Sequence, residues 1–314
     1  GSNNTYLGFE AGKGGNTSAP YSSGGNNVAV GQYALNVVTS GGTNVAIGNR
    51  ALISLRDGIQ STAVGYGAGY YATGSENTFL GYNAGYGGTS SAPYSSGIRN
   101  LAVGRSALVN FTTGGYNTAI GYGAGYNISS GSYNVVMGYN AGYSLGGTQS
   151  NVMIGDYAGS SSNTINNRHA YVGYNAGRYI DTGLANVAIG YNAMKSTSAT
   201  NQNASYNTAV GYVALESITD SDYNTAIGQA AGQNIEGGSG QNVFIGNSAG
   251  VTSVTSAYNV VIGVSAGLAA TDVDNTVLIG WNAGRNTTAD GTIAIGYQAL
   301  LEHTTGVRNI AIGH

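Results

Sequence analysis

The sequence of 314 residues carries little charge: 10 Lys and Arg and 13 Asp and Glu give a net charge of −3, with the basic residues scattered along the chain. This pattern provides no stripe of cations to neutralise phosphates, so we expect no nucleic-acid partner. The absence of cysteine excludes disulfides and thiolate metal sites. No run of 18 apolar residues occurs, so we expect no membrane insertion of this segment.

One motif, an apolar triplet followed by glycine, recurs along the chain. With this glycine as position zero, 18 copies run from Gly8 to Gly313, and most are 16 to 18 residues apart. A short fixed period indicates one supersecondary unit per repeat, which buries its apolar side chains against its neighbours. We therefore predict an all-β parallel β-roll or β-solenoid of about 18 short coils with a period of about 17. It forms a single array over 1–314, which we expect to be part of a longer fibre.

The first eight coils resemble a duplicated four-coil block, 8–81 and 81–155. Each block carries a longer insert, 16–27 or 89–100, and each insert holds one of the two prolines. Loops on a rigid scaffold often bind ligands. The inserts are therefore candidate contacts to a receptor or glycan. The alternative is that they are turns without a binding role that were inherited by duplication. Their candidate contact residues are Pro20, Tyr21, Pro93 and Tyr94. A third long spacing places another outward loop at 194–207.

The regular repeats show what each position requires. Position zero turns the chain, because glycine tolerates a positive φ. Position −1 is aliphatic in all 18 copies, and position +3 is Ala in all 17 complete copies, which indicates a tight corner or a close approach of coils. Position −4 is Asn in 14 copies. Stacking would align these amides in a hydrogen-bonded ladder; a metal or glycan ladder is the alternative. Two repeats represent these positions: Asn117, Ile120, Gly121 and Ala124, and Asn186, Ile189, Gly190 and Ala193.

The strand formed by positions −3 to −1 is apolar on both faces. Positions −1 and −3 share one face, and position −2 points to the other. A short coil can hide only one face inside itself, so the second face needs another chain or a second layer. We expect −1 and −3 to lie inside the coil and −2 to contact another chain. Burial of −2 within its own chain would instead indicate a monomer.

Signals for catalysis are few. Cleavage of a polysaccharide needs two carboxylates that converge on a groove. The closest acidic pairs, Asp220 with Asp222 and Asp272 with Asp274, fall in predicted turns, and the three histidines do not cluster. We therefore expect no enzymatic activity, no cofactor and no metal. Many of the 25 tyrosines keep phase at +1 and +5, which predicts stacked ladders, although an aromatic ring with a polar tip also suits sugar binding.

The copies NTAIGYGAG (117–125), NVAIGYNAM (186–194) and TIAIGYQAL (292–300) resemble known repeats. They are similar to the SVAIG core of trimeric autotransporter adhesin heads. They are more similar to the NTAIGYQAL-type repeats of tail-fibre-domain proteins from phages and bacteria. The unit here is longer than the adhesin-head repeat.

This resemblance implies a left-handed β-roll and a homotrimer. It also implies an extracellular location, on a virion tail fibre or a bacterial surface, and attachment to a cell-surface receptor or glycan. Two alternatives remain open, namely a trimeric tailspike that degrades polysaccharide and a monomeric β-solenoid of a surface or matrix.

Overall fold

The computed structural model describes residues 2–14, 23–88, 94–161, 168–196, 203–302 and 305–314. These residues contain 18 strands of three residues, and each strand is the −3 to −1 triplet of one repeat. No helix in these ranges is both long and apolar enough to cross a membrane. The strands are β1 Thr5–Leu7, β2 Val28–Val30, β3 Val45–Ile47, β4 Thr62–Val64, β5 Thr78–Leu80, β6 Leu101–Val103, β7 Thr118–Ile120, β8 Val135–Met137, β9 Val152–Ile154, β10 Ala170–Val172, β11 Val187–Ile189, β12 Thr208–Val210, β13 Thr225–Ile227, β14 Val243–Ile245, β15 Val260–Ile262, β16 Val277–Ile279, β17 Ile293–Ile295 and β18 Ile310–Ile312.

The chain divides into two compact units, one with β1–β9 (Gly1–Asp156) and one with β10–β18 (most of Tyr157–His314). Within each unit every strand pairs in parallel with the next, so that equivalent repeat positions lie side by side. In the first unit Val103 is opposite Ile120, and in the second Ile189 is opposite Val210. The prediction of a parallel β-solenoid with one strand per repeat is confirmed.

The interior of each coil is narrow and is filled mainly from positions −2, +3, +4 and +7. In the coil of β7, Ala119, Ala124 and Ile128 are all fully buried. Our assignment of the two strand faces was therefore wrong, because −2 points into its own coil and −1 and −3 point outward. The reason is the strand period: −2 shares a face with the −4 asparagine, and the −4 amide finds its hydrogen-bond partners inside the coil.

Side-chain sizes at −2 and +4 compensate each other. In every copy with a side chain larger than Ala at −2, position +4 is Gly. A Cβ atom added to Gly85 or Gly177 would lie within 3.0 Å of the Phe79 or Tyr171 ring. Leu and Met occur at +4 only where −2 is Ala. A large side chain is thus never present at both positions of one coil, and where both are small, as at Ala63 and Gly69, the Leu52 and Phe79 side chains of the adjacent coils fill the space.

Candidate functional site

The most extended surface feature of each unit is the side of the sheet that carries positions −5, −3, −1 and +1, here called the outward face. The −3 and −1 side chains point away from the coil interior, as alternate strand positions do, and tyrosines at −5 and +1, such as Tyr116 and Tyr122, are exposed. The −1 side chains are aliphatic in every strand yet accessible, with Ile47 39% and Ile189 42% exposed, and Ile120 is half-buried. An outward strand position that faces only water usually carries a polar residue. The outward face therefore has the composition of a surface that another protein covers.

Stacked tyrosines flank the aliphatic columns of the outward face. At +1, the Tyr122 and Tyr139 rings lie 5.2 Å apart and nearly parallel. At −5, Tyr116 and Tyr133 lie 5.0 Å apart. The second unit repeats the +1 column with Tyr174, Tyr191 and Tyr212, and the −5 column with Tyr206 and Tyr223.

Stacking covers most ring faces and leaves edges and hydroxyl groups exposed. Between Tyr82 and Tyr122 the ladder continues through Arg105, whose guanidinium carbon lies 5.5 and 5.7 Å from the two ring centroids. A sugar ring packs against the face of an aromatic ring, and these faces are already occupied. The +1 and −5 tyrosines therefore form aromatic margins of the outward face, and aromatic residues are enriched in protein interfaces.

The −4 side chains form a mostly buried ladder within the first unit, in which Ser61 replaces one asparagine. The Asn117 backbone N–H donates to Asn100 Oδ1 at 3.0 Å, and Asn117 Nδ2 donates to the Gly131 carbonyl at 2.8 Å. Asn117 Oδ1 in turn accepts from the Asn134 backbone N–H. In the second unit Asn186 Oδ1 accepts from the Asn207 N–H at 2.9 Å. These buried amides are therefore occupied by hydrogen bonds between neighbouring coils.

His169 occupies the −4 position of β10 and takes the place of an asparagine. Its Nδ1 accepts a hydrogen bond from the Asn186 backbone N–H at 3.1 Å. The ring also interacts with the backbone of Gly183, fourteen residues on, which is the spacing that Asn117 uses to reach Gly131. Because Nδ1 accepts, the proton of the neutral ring is on Nε2. Protonation of Nδ1 would place its N–H opposite the backbone N–H of Asn186, so that two donors would face each other.

We expect His169 to make the stability of the second unit depend on pH. Burial lowers the pKa of His169 to about 3, and the neighbouring Gly183 backbone only partly opposes this effect. The unfolded chain binds a proton below its ordinary pKa of 6.5, whereas the folded chain does not until about pH 3. The stabilising contribution is therefore complete above pH 6.5 and is lost as the pH falls toward 3.

Between pH 7 and pH 5 the free energy of unfolding should fall by about 2 kcal/mol through this residue. Urea unfolding at both pH values measures this, and His169→Asn should flatten the dependence. His314→Asn, at an exposed position, is the control. An unchanged pH dependence in His169→Asn would show that this ring is not the titrating group.

The glycines and alanines of the motif lie where coils approach closely. Gly121 and Gly190 have φ values of 130° and 135°. Each faces the carbonyl group of the equivalent glycine in the next coil, Gly138 or Gly211. The +3 residues Ala124 and Ala193 are fully buried. These positions shape the coil and present no side chain to a ligand.

Of the four loop residues predicted to contact a receptor, Pro20, Tyr21 and Pro93 lie outside the described residues. Tyr94 is 61% exposed and packs edge-on against Tyr71, with ring centroids 6.1 Å apart. It lines an open cleft of about 390 Å³ together with Ser54, Arg56, Asp57 and Thr73. The sequence did not predict this cleft, because its lining comes from three different repeats.

The charged side chains of the Tyr94 cleft are partly fixed. Asp57 Oδ1 accepts hydrogen bonds from the hydroxyl groups of Ser40, at 2.5 Å, and Thr39, at 2.6 Å. These contacts, Ser40 first, lower the pKa of Asp57, so the carboxylate is ionised at neutral pH. With the Arg56 guanidinium and the exposed Tyr94 ring, the cleft combines an anion, a cation and an aromatic face.

The acidic pairs considered as catalytic groups also bridge neighbouring coils. Asp222 Oδ1 accepts from the Ser205 backbone N–H at 2.7 Å, and Asp274 Oδ1 accepts from the Ala257 N–H at 2.7 Å. These carboxylates cap backbone groups of the preceding coil. Among the described residues there is no group of three or more His, Cys, Asp or Glu side chains placed to hold a metal ion.

A proposal for the function of this chain has to rest on its fold and its surfaces. A scan against protein-family models finds no family that matches this chain, and a search of curated proteins finds no match. The structure defines the chain as a β-solenoid repeat protein.

Proposed function

We propose that this chain is a structural and adhesive segment of an extracellular fibre, such as a phage tail fibre or a bacterial surface adhesin. Three copies associate through their outward faces, and the segment attaches to a cell surface through a receptor or glycan. The observation that carries the proposal is the outward face itself. Its aliphatic −1 column is present in all 18 strands, although −2 already fills the coil interior.

The outward face is continuous along each unit and therefore suits a partner with the same repeat. A second and a third copy of the chain carry the same columns at the same spacing, about 4.8 Å per strand. Most soluble oligomers are symmetric assemblies of identical copies, and a ring of three forms when one part of the face contacts a different part of the face on the next copy. The number three comes from the resemblance of the NTAIG-type repeats to trimeric adhesins and tail-fibre domains.

The Tyr94 cleft supports the adhesive part of the proposal. Its volume falls within the roughly 300–1,000 Å³ of small-molecule sites, and it combines an aromatic ring, charges and hydroxyl groups. Saccharides are bound by such mixtures of an apolar face and directional hydrogen bonds. The cleft lies outside the columns of the outward face, so association of copies leaves it accessible.

The mass of the purified chain in solution tests the assembly. Light scattering should give about three times the chain mass of 31.6 kDa, at protein concentrations in the micromolar range. A mass of a single chain would overturn the trimer, and a mass of two chains would contradict the number three. The measurement needs no knowledge of the ligand.

A monomeric surface or matrix β-solenoid is the second candidate, and one observation favours it. Position −2 is buried within its own coil, which the sequence pattern associates with a monomer. In that case the outward face of each unit would remain in contact with water. Its uniform aliphatic composition makes this arrangement less favourable than association, because such patches on monomers are usually limited to a few hundred Å².

A further inference from the structure

A second polar surface lies in the second unit, at positions +5 and +6 of four consecutive coils. We call it the cationic groove. It has a volume of about 510 Å³, and its principal lining residues are Arg178, Tyr179, Lys195, Glu216, Gln233 and Asn234. In the first unit the same +5 position carries the stacked tyrosines Tyr126 and Tyr143. The four coils of the groove thus replace an aromatic ladder with long polar side chains.

A chain of side-chain hydrogen bonds organises the floor of the groove. Asn175 Nδ2 donates to Asn192 Oδ1 at 3.1 Å, and Asn192 Nδ2 donates to Glu216 Oε1 at 3.0 Å. Gln233 Nε2 donates to the other carboxylate oxygen of Glu216 at 2.9 Å. Both oxygens of Glu216 therefore have an amide donor. This network fixes the groove before any ligand binds, which lowers the entropic cost of binding.

The two cations of the groove are not neutralised by this network. Arg178 is held in place by Tyr157 and Tyr179, whose ring centroids lie 4.5 and 4.9 Å from its guanidinium carbon. Its Nη1 donates to Asn175 Oδ1 at 3.0 Å, and its buried Nε has no hydrogen-bond partner. Within the part of the chain that the structure describes, no carboxylate lies within 4.0 Å of the Lys195 ammonium. The groove therefore offers positive charge to a ligand.

The backbone around the groove limits the kind of anion that fits. The N–H groups of Tyr179, Ser196 and Ser217 donate to carbonyl groups of the next coil. No free backbone N–H is available from these residues to cradle a phosphate, which commonly uses such groups. An extended peptide would likewise find no unpaired backbone here to add to. The remaining partners are side chains: two cations, amides, a hydroxyl group and an aromatic ring.

We propose that the cationic groove binds an acidic saccharide of a cell surface. Its carboxylate would lie against Lys195 and Arg178, and its hydroxyl groups would bond Gln233, Asn234 and the held Glu216 carboxylate. Charge-assisted hydrogen bonds of this kind are about twice as strong as neutral ones. The saccharide as ligand class rests on the proposed attachment function. The groove itself lies within one unit and outside the outward face.

Calorimetric titration of the whole chain tests the groove. The probes are a galacturonic acid trisaccharide and sialyllactose, with an uncharged galactose trisaccharide as comparison. At least one acidic probe should bind saturably, and Lys195→Gln should raise its Kd about tenfold or more. Lys195→Arg should retain most of the affinity. The matched control is Arg285→Gln, because Arg285 is an exposed cation at the same +5 position outside the groove.

Absence of binding by both acidic probes, equal binding of the uncharged trisaccharide, or an unchanged Kd in Lys195→Gln would overturn the groove proposal. Its failure is distinguishable from failure of the fibre assembly. A chain that binds the acidic probe but has the mass of one chain would keep the groove and overturn the trimer. A chain that has the mass of three chains but binds neither acidic probe would keep the trimer and overturn the groove.

Discussion

Replacing Gly121 by valine is expected to destabilise the first unit by at least about 3 kcal/mol. Two independent effects contribute. The φ of Gly121 is 130°, a region that is nearly restricted to glycine. A Cβ atom at this position would also lie 2.8 Å from the carbonyl carbon of Gly138 and closer still to its oxygen. Both atoms belong to the backbone of the next coil, so a change of rotamer cannot relieve the clash.

Urea unfolding followed by circular dichroism measures the loss, and hydrogen exchange in β7 and β8 locates it. Gly147→Val is the control in the same unit. A Cβ atom at Gly147 would contact only the Ser130 hydroxyl oxygen, at 3.0 Å, and its φ is not positive. We expect this control to change stability by less than about 1 kcal/mol. Equal losses of stability in the two variants would mean that glycine is not required where neighbouring coils approach each other at position zero.

The sequence predicted the strands well, because the phase of the repeat is so regular. All 18 strands coincide with positions −3 to −1, and the −4 asparagines lie in register as an aligned stack requires. The strict period of an array removes most of the uncertainty of single-strand prediction, since each coil has the same neighbours. The same regularity explains why His169 could replace an asparagine: its Nδ1 accepts from the backbone N–H of the next −4 residue, as an asparagine Oδ1 does in the other coils.

The sequence led to the wrong strand face for the coil interior, because both faces are apolar. Two signals were present but not used. Position −4 shares a face with −2, and a ladder of buried amides belongs inside a coil, where backbone partners exist. In addition, Gly at +4 accompanies every bulky −2 residue, as in Tyr171 with Gly177. Such compensation of volume is expected only between side chains that share one interior.

The two clefts were beyond prediction from the sequence for a different reason. Tyr94, Ser54 and Asp57 are brought together only by the stacking of successive coils, and the loops between the strands differ in length. The cationic groove likewise depends on four residues at +5 that are 17 to 21 positions apart. Long-range neighbours of this kind follow from the register of the solenoid, which the structure supplies.

An aspartate on the outward face should dissociate the assembly while leaving the coil folded. In a single chain Ile189 is 42% exposed, so an Asp carboxylate there can keep contact with water. In an association through outward faces, the same carboxylate would be buried without a partner, at a cost of several kcal/mol in each copy. We therefore expect Ile189→Asp to reduce the mass in solution from three chains to one. Its circular dichroism spectrum should match that of the parent chain.

The matched control is Ile59→Asp. Ile59 is the same residue type and is 44% exposed, but it lies eleven residues after Gly48, outside the columns of the outward face. We expect its mass to remain that of three chains. If both variants lost the trimer, the effect would come from general loss of stability and not from the face. If neither changed the mass of an assembled parent chain, the contact between copies would lie elsewhere on the coil, and the aliphatic column would need another partner.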